Sequence, residues 1–145
     1  MLNSNDHLFG AFAQAVADHG SHPAIGFYSS SAQSYQHLTY DQLHQKIIRL
    51  GNLLKAEGVG PGDKVVLILS NQPEYAVSFF AIMVAGATAV PLDNQYPPSQ
   101  IRNLLEHCLA KLVITTETIY EKIKADTNGL PVFAVDSDAF DIRVR

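Results

Sequence analysis

The stretch "KVVLILSNQPEYAVSFFAIMVAGATAVPLD", residues 64–93, decides the fold. It opens on a continuous apolar run with no polar alternation, the pattern of a strand buried on both faces. Pro73 then stands where the first turn of a helix tolerates a residue without an N–H, with Asn71 before it as the candidate N-cap. The helix continues through "EYAVSFFAIMVAG" to Gly86, and "TAVPLD" follows as a second strand. That helix has almost no polar face, and a helix apolar all round must be covered on all sides. One sheet supplies one cover. The expectation is a second layer that this chain does not encode.

Downstream the same alternation repeats. "PSQIRNLLEHCLAK" reads as a helix with Ile101, Leu104, Leu105 and Cys108 inward, and "LVITT" as a third strand. Thr118 and Glu121 have capping-box spacing for the short helix "IYEKIK", and "LPVFAVD" is the fourth strand. From residue 64 to 136 the order is β-α-β-α-β-α-β with short connections. Right-handed parallel crossovers then give an α/β fold, a doubly wound, mostly parallel sheet flanked by helices. Residues 137–145 read as a tail.

Upstream, residues 1–63 hold a helix, a hairpin and a capped helix. Leu8, Phe12, Ala15 and Val16 mark the first helix, which Gly20 stops. "PAIGFYSS" and "SYQHLTY" are β-like and joined by a short polar loop. Thr39 and Gln42 form a capping box, with Leu38 and Leu43 placed as a hydrophobic staple. Leu43, Ile47, Leu50, Leu53 and Leu54 share one face of the helix that follows, and Gly58 ends it.

Composition removes several classes of function. The net charge is −4, and the ten Lys and Arg residues form no stripe, so no nucleic-acid partner is expected. The apolar window 75–92 is broken by Gly86 and Pro91 and stopped by Asp93, so no membrane span is expected. A lone Cys108 excludes an internal disulfide and fits a reducing, cytoplasmic setting. Its helix turns it inward, so it reads as a packing residue.

Candidate chemistry is sparse. "GVGPGD", residues 58–63, looks like a phosphate loop but follows a helix and opens a strand, the reverse of what an anion cradle needs. "SSSAQS" lacks Gly and Lys and sits between two strands. The six histidines show no metal-ligand spacing; His19 and His22 flank Gly20 and read as surface residues. Ser70–Asn71, Asp93–Asn94, Thr115–Thr116 and Asp136 fall at the carboxyl ends of the strands, where a doubly wound sheet binds ligands. Helix capping accounts for Asn71 and the threonines without a ligand.

Taken in order, "LTY", "GVGPGD", the N-x-P-E opening of the apolar helix and "AG-x-x-x-VPLD-x-x-YP" resemble the N-terminal part of the adenylate-forming (AMP-binding) enzymes. These are the acyl-CoA synthetases, the adenylation domains of peptide synthetases and the luciferases. The resemblance runs from about Pro23 to Asp136. It implies the N-terminal subdomain of an AMP-dependent synthetase, with helices sandwiched between two sheets. It also implies ATP, Mg²⁺ and CoA as the complete enzyme's cofactors and a small carboxylic acid as its substrate. The family's phosphate loop, ribose-binding Asp, hinge and catalytic Lys lie beyond this sequence. No catalytic residue, metal ligand or cofactor is therefore expected within 1–145 itself.

By the same resemblance Asn94 and Gln95 are candidate CoA-side contacts of the complete enzyme. The first reading is an N-terminal fragment of an acyl-CoA synthetase, favoured by a start at Met1. An amino-acid adenylation domain and a non-catalytic interaction module are the alternatives. With 47% hydrophobic and 17% charged residues, the chain is also expected to self-associate through uncovered apolar surface. Light scattering that returned a monomer at high concentration would contradict this.

Overall fold

The computed structural model describes residues 8–136 and 141–144. Helix α1 (Leu8–His19) leads into an antiparallel hairpin, β1 (Pro23–Ser29) and β2 (Ser34–Thr39). Helix α2 (Tyr40–Ala56) follows at once. Then come β3 (Lys64–Ile68), α3 (Pro73–Val84), β4 (Thr88–Pro91), α4 (Pro98–Cys108), β5 (Leu112–Thr115), α5 (Glu117–Ile123), β6 (Val132–Asp136) and β7 (Asp141–Val144).

The main sheet has the order β4-β3-β5-β6-β7. The first four strands are mutually parallel, which is the expected doubly wound unit. β7 pairs antiparallel with β6, so part of the stretch read as a tail is an edge strand. β3 is central, and its alternation explains the unbroken apolar run. Val65, Leu67 and Leu69 face a core shared with α1, α2 and α3. Val66 and Ile68 face a second core, with Ile101 and Leu105 of α4 and Ile123 of α5. Each such side chain taken out of water contributes about 1.5–3 kcal/mol.

The start of α2 is as its sequence requires. Thr39 Oγ1 accepts from the Gln42 N–H at 3.2 Å, and Gln42 Oε1 accepts from the Thr39 N–H at 2.9 Å. Other details differ from expectation. Asn71 is exposed and caps nothing; Gln72 holds the N-cap position of α3 without a side-chain cap bond. Pro73 at N1 removes one donor from that turn, which lowers the demand for a cap. Thr116, not Thr118, caps α5, accepting from the Ile119 N–H at 3.3 Å. The strand ends one residue before Thr116, so it is the first hydroxyl able to reach the new helix.

Faces shift in the same small way. On α1, Phe9 packs against the core while Leu8 is 54% exposed. On α2, Gly51 is buried, and Leu53 turns outward. On α4, Leu104 and Cys108 are half-buried beside fully buried Ile101 and Leu105. Leu109 enters the left-handed region at φ 53° and ends that helix.

The cover of α3 corrects the largest expectation. Much of its second layer comes from this chain. The Phe12 ring of α1 stacks on Phe80 with centroids 4.8 Å apart, and Phe9 lies 6.5 Å from the same ring. α2 packs closely alongside. A Cβ built on Gly51 would lie 2.7 Å from Val84 Cγ1 and 3.2 Å from the Ala81 carbonyl oxygen, so only glycine allows this approach. Tyr75, Phe79 and Met83 stay half-buried, with the Tyr75 and Phe79 rings stacked at 6.5 Å.

Two substitutions test these points by chemical denaturation. Thr39→Ala should cost about 1 kcal/mol through loss of the cap. Gly51→Ala would stabilise an ordinary helix; here overpacking should make it destabilising by about 1–3 kcal/mol, and Val84→Ala in the same chain should recover part of the loss.

Candidate functional site

A doubly wound sheet opens a crevice where successive crossovers leave a strand in opposite directions. Here that strand is β3, because α3 carries the chain to β4 on one side and α4 carries it back to β5 on the other. At the carboxyl ends of these strands lies a cleft of about 380 Å³. Ser70, Asn94 and Thr116 meet in it, so three of the four strand-end positions singled out from the sequence converge. The side chain of Asp136 lies outside the described residues.

The cleft is a polar, hydrogen-bonded surface. Asn94 Nδ2 donates to Ser70 Oγ at 2.8 Å, which joins the ends of β3 and β4. Gln95 Nε2 donates to Asn94 Oδ1 at 2.7 Å, and the Gln95 N–H donates to Asp93 Oδ1 at 2.8 Å. Below them Thr115, fully buried, donates its hydroxyl to the Ile68 carbonyl at 2.8 Å. This ties β5 to β3 at the floor.

Gln72, Thr118 and Lys122 also line the cleft. Sequence reading missed them. The i, i+4 spacing of Thr118 and Lys122 was the available signal, since it sets both on one side of α5. Among the described residues Lys122 is the cleft's one cation, and none of those lining it is Asp, Glu, His or Cys. Such a surface can bind and orient a polar ligand, but it has no base beside a nucleophile.

The other sequence candidates resolve into structural roles. The glycine turn does connect a helix to a strand, and its groups are already engaged. The Gly60 N–H donates to Asp63 Oδ2 at 2.8 Å. Lys111 Nζ donates to the same oxygen at 2.8 Å and to the Gly58 carbonyl at 2.5 Å. A carboxylate holding the turn's amide and its nearest ammonium leaves no seat for a phosphate. Cys108 donates its S–H to the Leu105 carbonyl at 3.6 Å and packs against the second core. His19 and His22 are exposed, with rings 5.6 Å apart. Among the described residues no three of His, Cys, Asp and Glu gather as a metal site. These residues therefore do not fit Mg²⁺ or the triphosphate of ATP.

A buried carboxylate and a half-buried ammonium stand apart from the cleft. Glu74, 2% exposed in the first turn of α3, lies near Lys46 of α2. Burial lowers the Lys46 pKa, Glu74 pulls it back up, and Arg49 lowers it further.

A doubly wound α/β unit with a hydrogen-bonding crevice at its switch point is the class these observations define. The chain belongs to the AMP-binding enzyme family, whose sequence model matches residues 12–143. It is 35% identical over 98 residues to acetyl-coenzyme A synthetase of Methylorubrum populi, covering 68% of this chain and 15% of that protein. To tyrocidine synthase 3 of Brevibacillus parabrevis it is 34% identical over 98 residues, covering 68% of this chain and 2% of that one. Its fold is similar to that of VinN, solved in complex with 3-methylaspartate. The TM-score is 0.76 at 23% identity, over 86% of this chain and 33% of the other. The chain thus spans a small part of each of these proteins. No described helix is long and apolar enough to cross a membrane.

The Asp63 pKa is lowered, first by the Lys111 hydrogen bond and then by the Gly60 N–H. Its stabilising contribution is present above the unfolded carboxylate value, about 4, and is lost as pH falls through the lower folded value. Asp63→Asn should therefore be less stable than the wild type at pH 7. The gap should narrow on acidification below about pH 4, read from denaturation midpoints across pH.

Proposed function

We propose that this chain is the N-terminal part of the large domain of an AMP-forming acyl-CoA synthetase. In that reading residues 1–63 form the helix, hairpin and capped helix, 64–136 the βαβαβαβ unit, and 137–145 lead onward. The observation that carries it is the family match across residues 12–143, joined to 35% identity with an acetyl-coenzyme A synthetase. In the complete enzyme a carboxylate oxygen attacks the α-phosphorus of ATP and pyrophosphate leaves. A CoA thiolate then attacks the acyl carbon of the adenylate and displaces AMP.

The chemistry is positioning and charge stabilisation, for which the described residues supply a scaffold and one polar cleft. Mg²⁺ and CoA belong to this reading, as does a cytoplasmic location. Asn94 and Gln95 are its CoA-side contacts, since both line the cleft at the end of β4. A second reading, an amino-acid adenylation domain, is supported by 34% identity to tyrocidine synthase 3 and 37% over 79 residues to enterobactin synthase component F of Shigella flexneri.

The 145-residue protein alone should give no ATP–pyrophosphate exchange with any carboxylic acid. The product of the open frame read past Arg145 should give exchange with simple carboxylic acids and form a thioester with CoA. Exchange with amino acids and no CoA thioester would select the second reading. A stop codon directly after Arg145, with no exchange, would overturn both.

A further inference from the structure

Asparagine followed by glycine is the dipeptide most prone to deamidation, because glycine has no side chain to shield the backbone nitrogen that attacks. Asn128 is the one asparagine of this chain with glycine after it; Asn52, Asn71, Asn94 and Asn103 precede leucine or glutamine. The pair stands in the turn between α5 and β6. Asn128 has φ 53° and Gly129 φ 74°, and the Leu130 N–H donates to the Thr127 carbonyl at 3.0 Å. Positive φ at both central residues makes this a type I′ turn, for which Asn-Gly is a favoured sequence. Both residues are exposed, and a Cβ built on Gly129 would meet nothing within 4 Å. Solvent therefore has open access to the peptide between them.

Two polar bonds tie this segment to α4. They come from Arg102 and Glu106, which the i, i+4 spacing sets on one face of that helix. Arg102 donates to the Asp126 carboxylate, and Asn128 Nδ2 donates to Glu106 Oε1 at 2.7 Å.

We propose that Asn128 is a gated deamidation site: the folded turn holds its side chain away from the Gly129 nitrogen, and local opening of the turn releases the reaction. In the left-handed region the Cβ of a residue sits beside its own carbonyl oxygen, hence opposite the nitrogen of the next residue. The bond to Glu106 also directs the Asn128 amide towards α4. Once the turn opens, the Gly129 nitrogen passes its proton to water and attacks Cγ of Asn128. The Cγ–Nδ2 bond breaks, ammonia leaves, and a five-membered succinimide remains. Water then adds across one of the two ring C–N bonds. Cleavage at Cγ gives aspartate; cleavage at the carbonyl carbon of residue 128 gives isoaspartate, in which the main chain runs through the former side chain.

Neither product restores the clamp. Isoaspartate adds an atom to the backbone, so the type I′ geometry is lost. Aspartate keeps the backbone but replaces the donor to Glu106 with a second carboxylate, turning a hydrogen bond into a like-charge contact. Either product loosens α4 from the segment that enters β6. That segment continues directly from α5, the helix that carries Thr118 and Lys122 into the strand-end cleft.

Peptide mapping that separates asparagine, aspartate and isoaspartate tests this on full-length protein incubated at neutral pH, folded and in denaturant. In denaturant Asn128 should convert faster than every other asparagine. In folded protein its conversion should be slower by at least about tenfold, because only the opened fraction reacts. Glu106→Ala should raise the folded rate and leave the rate in denaturant unchanged. Equal rates in the folded and denatured samples would overturn the gate, as would a folded rate that ignores Glu106→Ala. Another asparagine converting first in denaturant would overturn the site itself. Asn128→Asp should lower the denaturation midpoint, and by less in a Glu106→Gln background, where the like charge is gone. An Asn128→Asp protein as stable as the wild type would overturn the loosening.

Discussion

The structure depends on the burial of β3 from both sides at once. Five consecutive residues, Val65 to Leu69, are almost completely removed from water, and they alternate between two separate cores. No strand with one wet face can carry such a sequence. The requirement of cover on both sides puts α1, α2 and α3 on one face and α4 and α5 on the other. Right-handed crossovers then leave β3 between β4 and β5. The switch-point cleft is a geometrical consequence of that placement, so the candidate site follows from the core.

Much of this was legible because the signals were local and redundant. The Thr39–Gln42 box, Pro73 and the apolar run of β3 each report a backbone state through a few neighbouring residues. The order of elements and the parallel unit followed from them. What failed depended on distant partners. Leu53 fits the apolar stripe of α2 by spacing, but contact with α3 is centred on Gly51, whose missing side chain is invisible to hydrophobic periodicity. Thr118 matched a capping box as well as Thr116 fits a simple cap. The choice between them depended on where β5 released the chain, which pairing with β3 and β6 sets.

The cover of α3 is the instructive case. Its composition correctly demanded burial all round, yet composition cannot say whose atoms provide it. Phe9 and Phe12 lie some seventy residues upstream and meet Phe80 only through the tertiary fold. Tyr75, Phe79, Phe80, Met83 and Val84 all stay half-buried, so the cover that this chain gives α3 is partial.

The site divides between what was readable and what was not for the same reason. Ser70, Asn94 and Thr116 were found because strand ends can be located from sequence, and a doubly wound order brings the ends of neighbouring strands together. Thr118 and Lys122 were not, because they reach the cleft from α5, whose rotation about its axis is fixed by packing. Their contribution also bears on chemistry. With one exposed ammonium and no acidic group among the described residues that line it, the cleft favours a neutral or singly anionic polar ligand. A polyphosphate needs several cations or a converging set of backbone amides. A nucleotide triphosphate therefore does not meet that description.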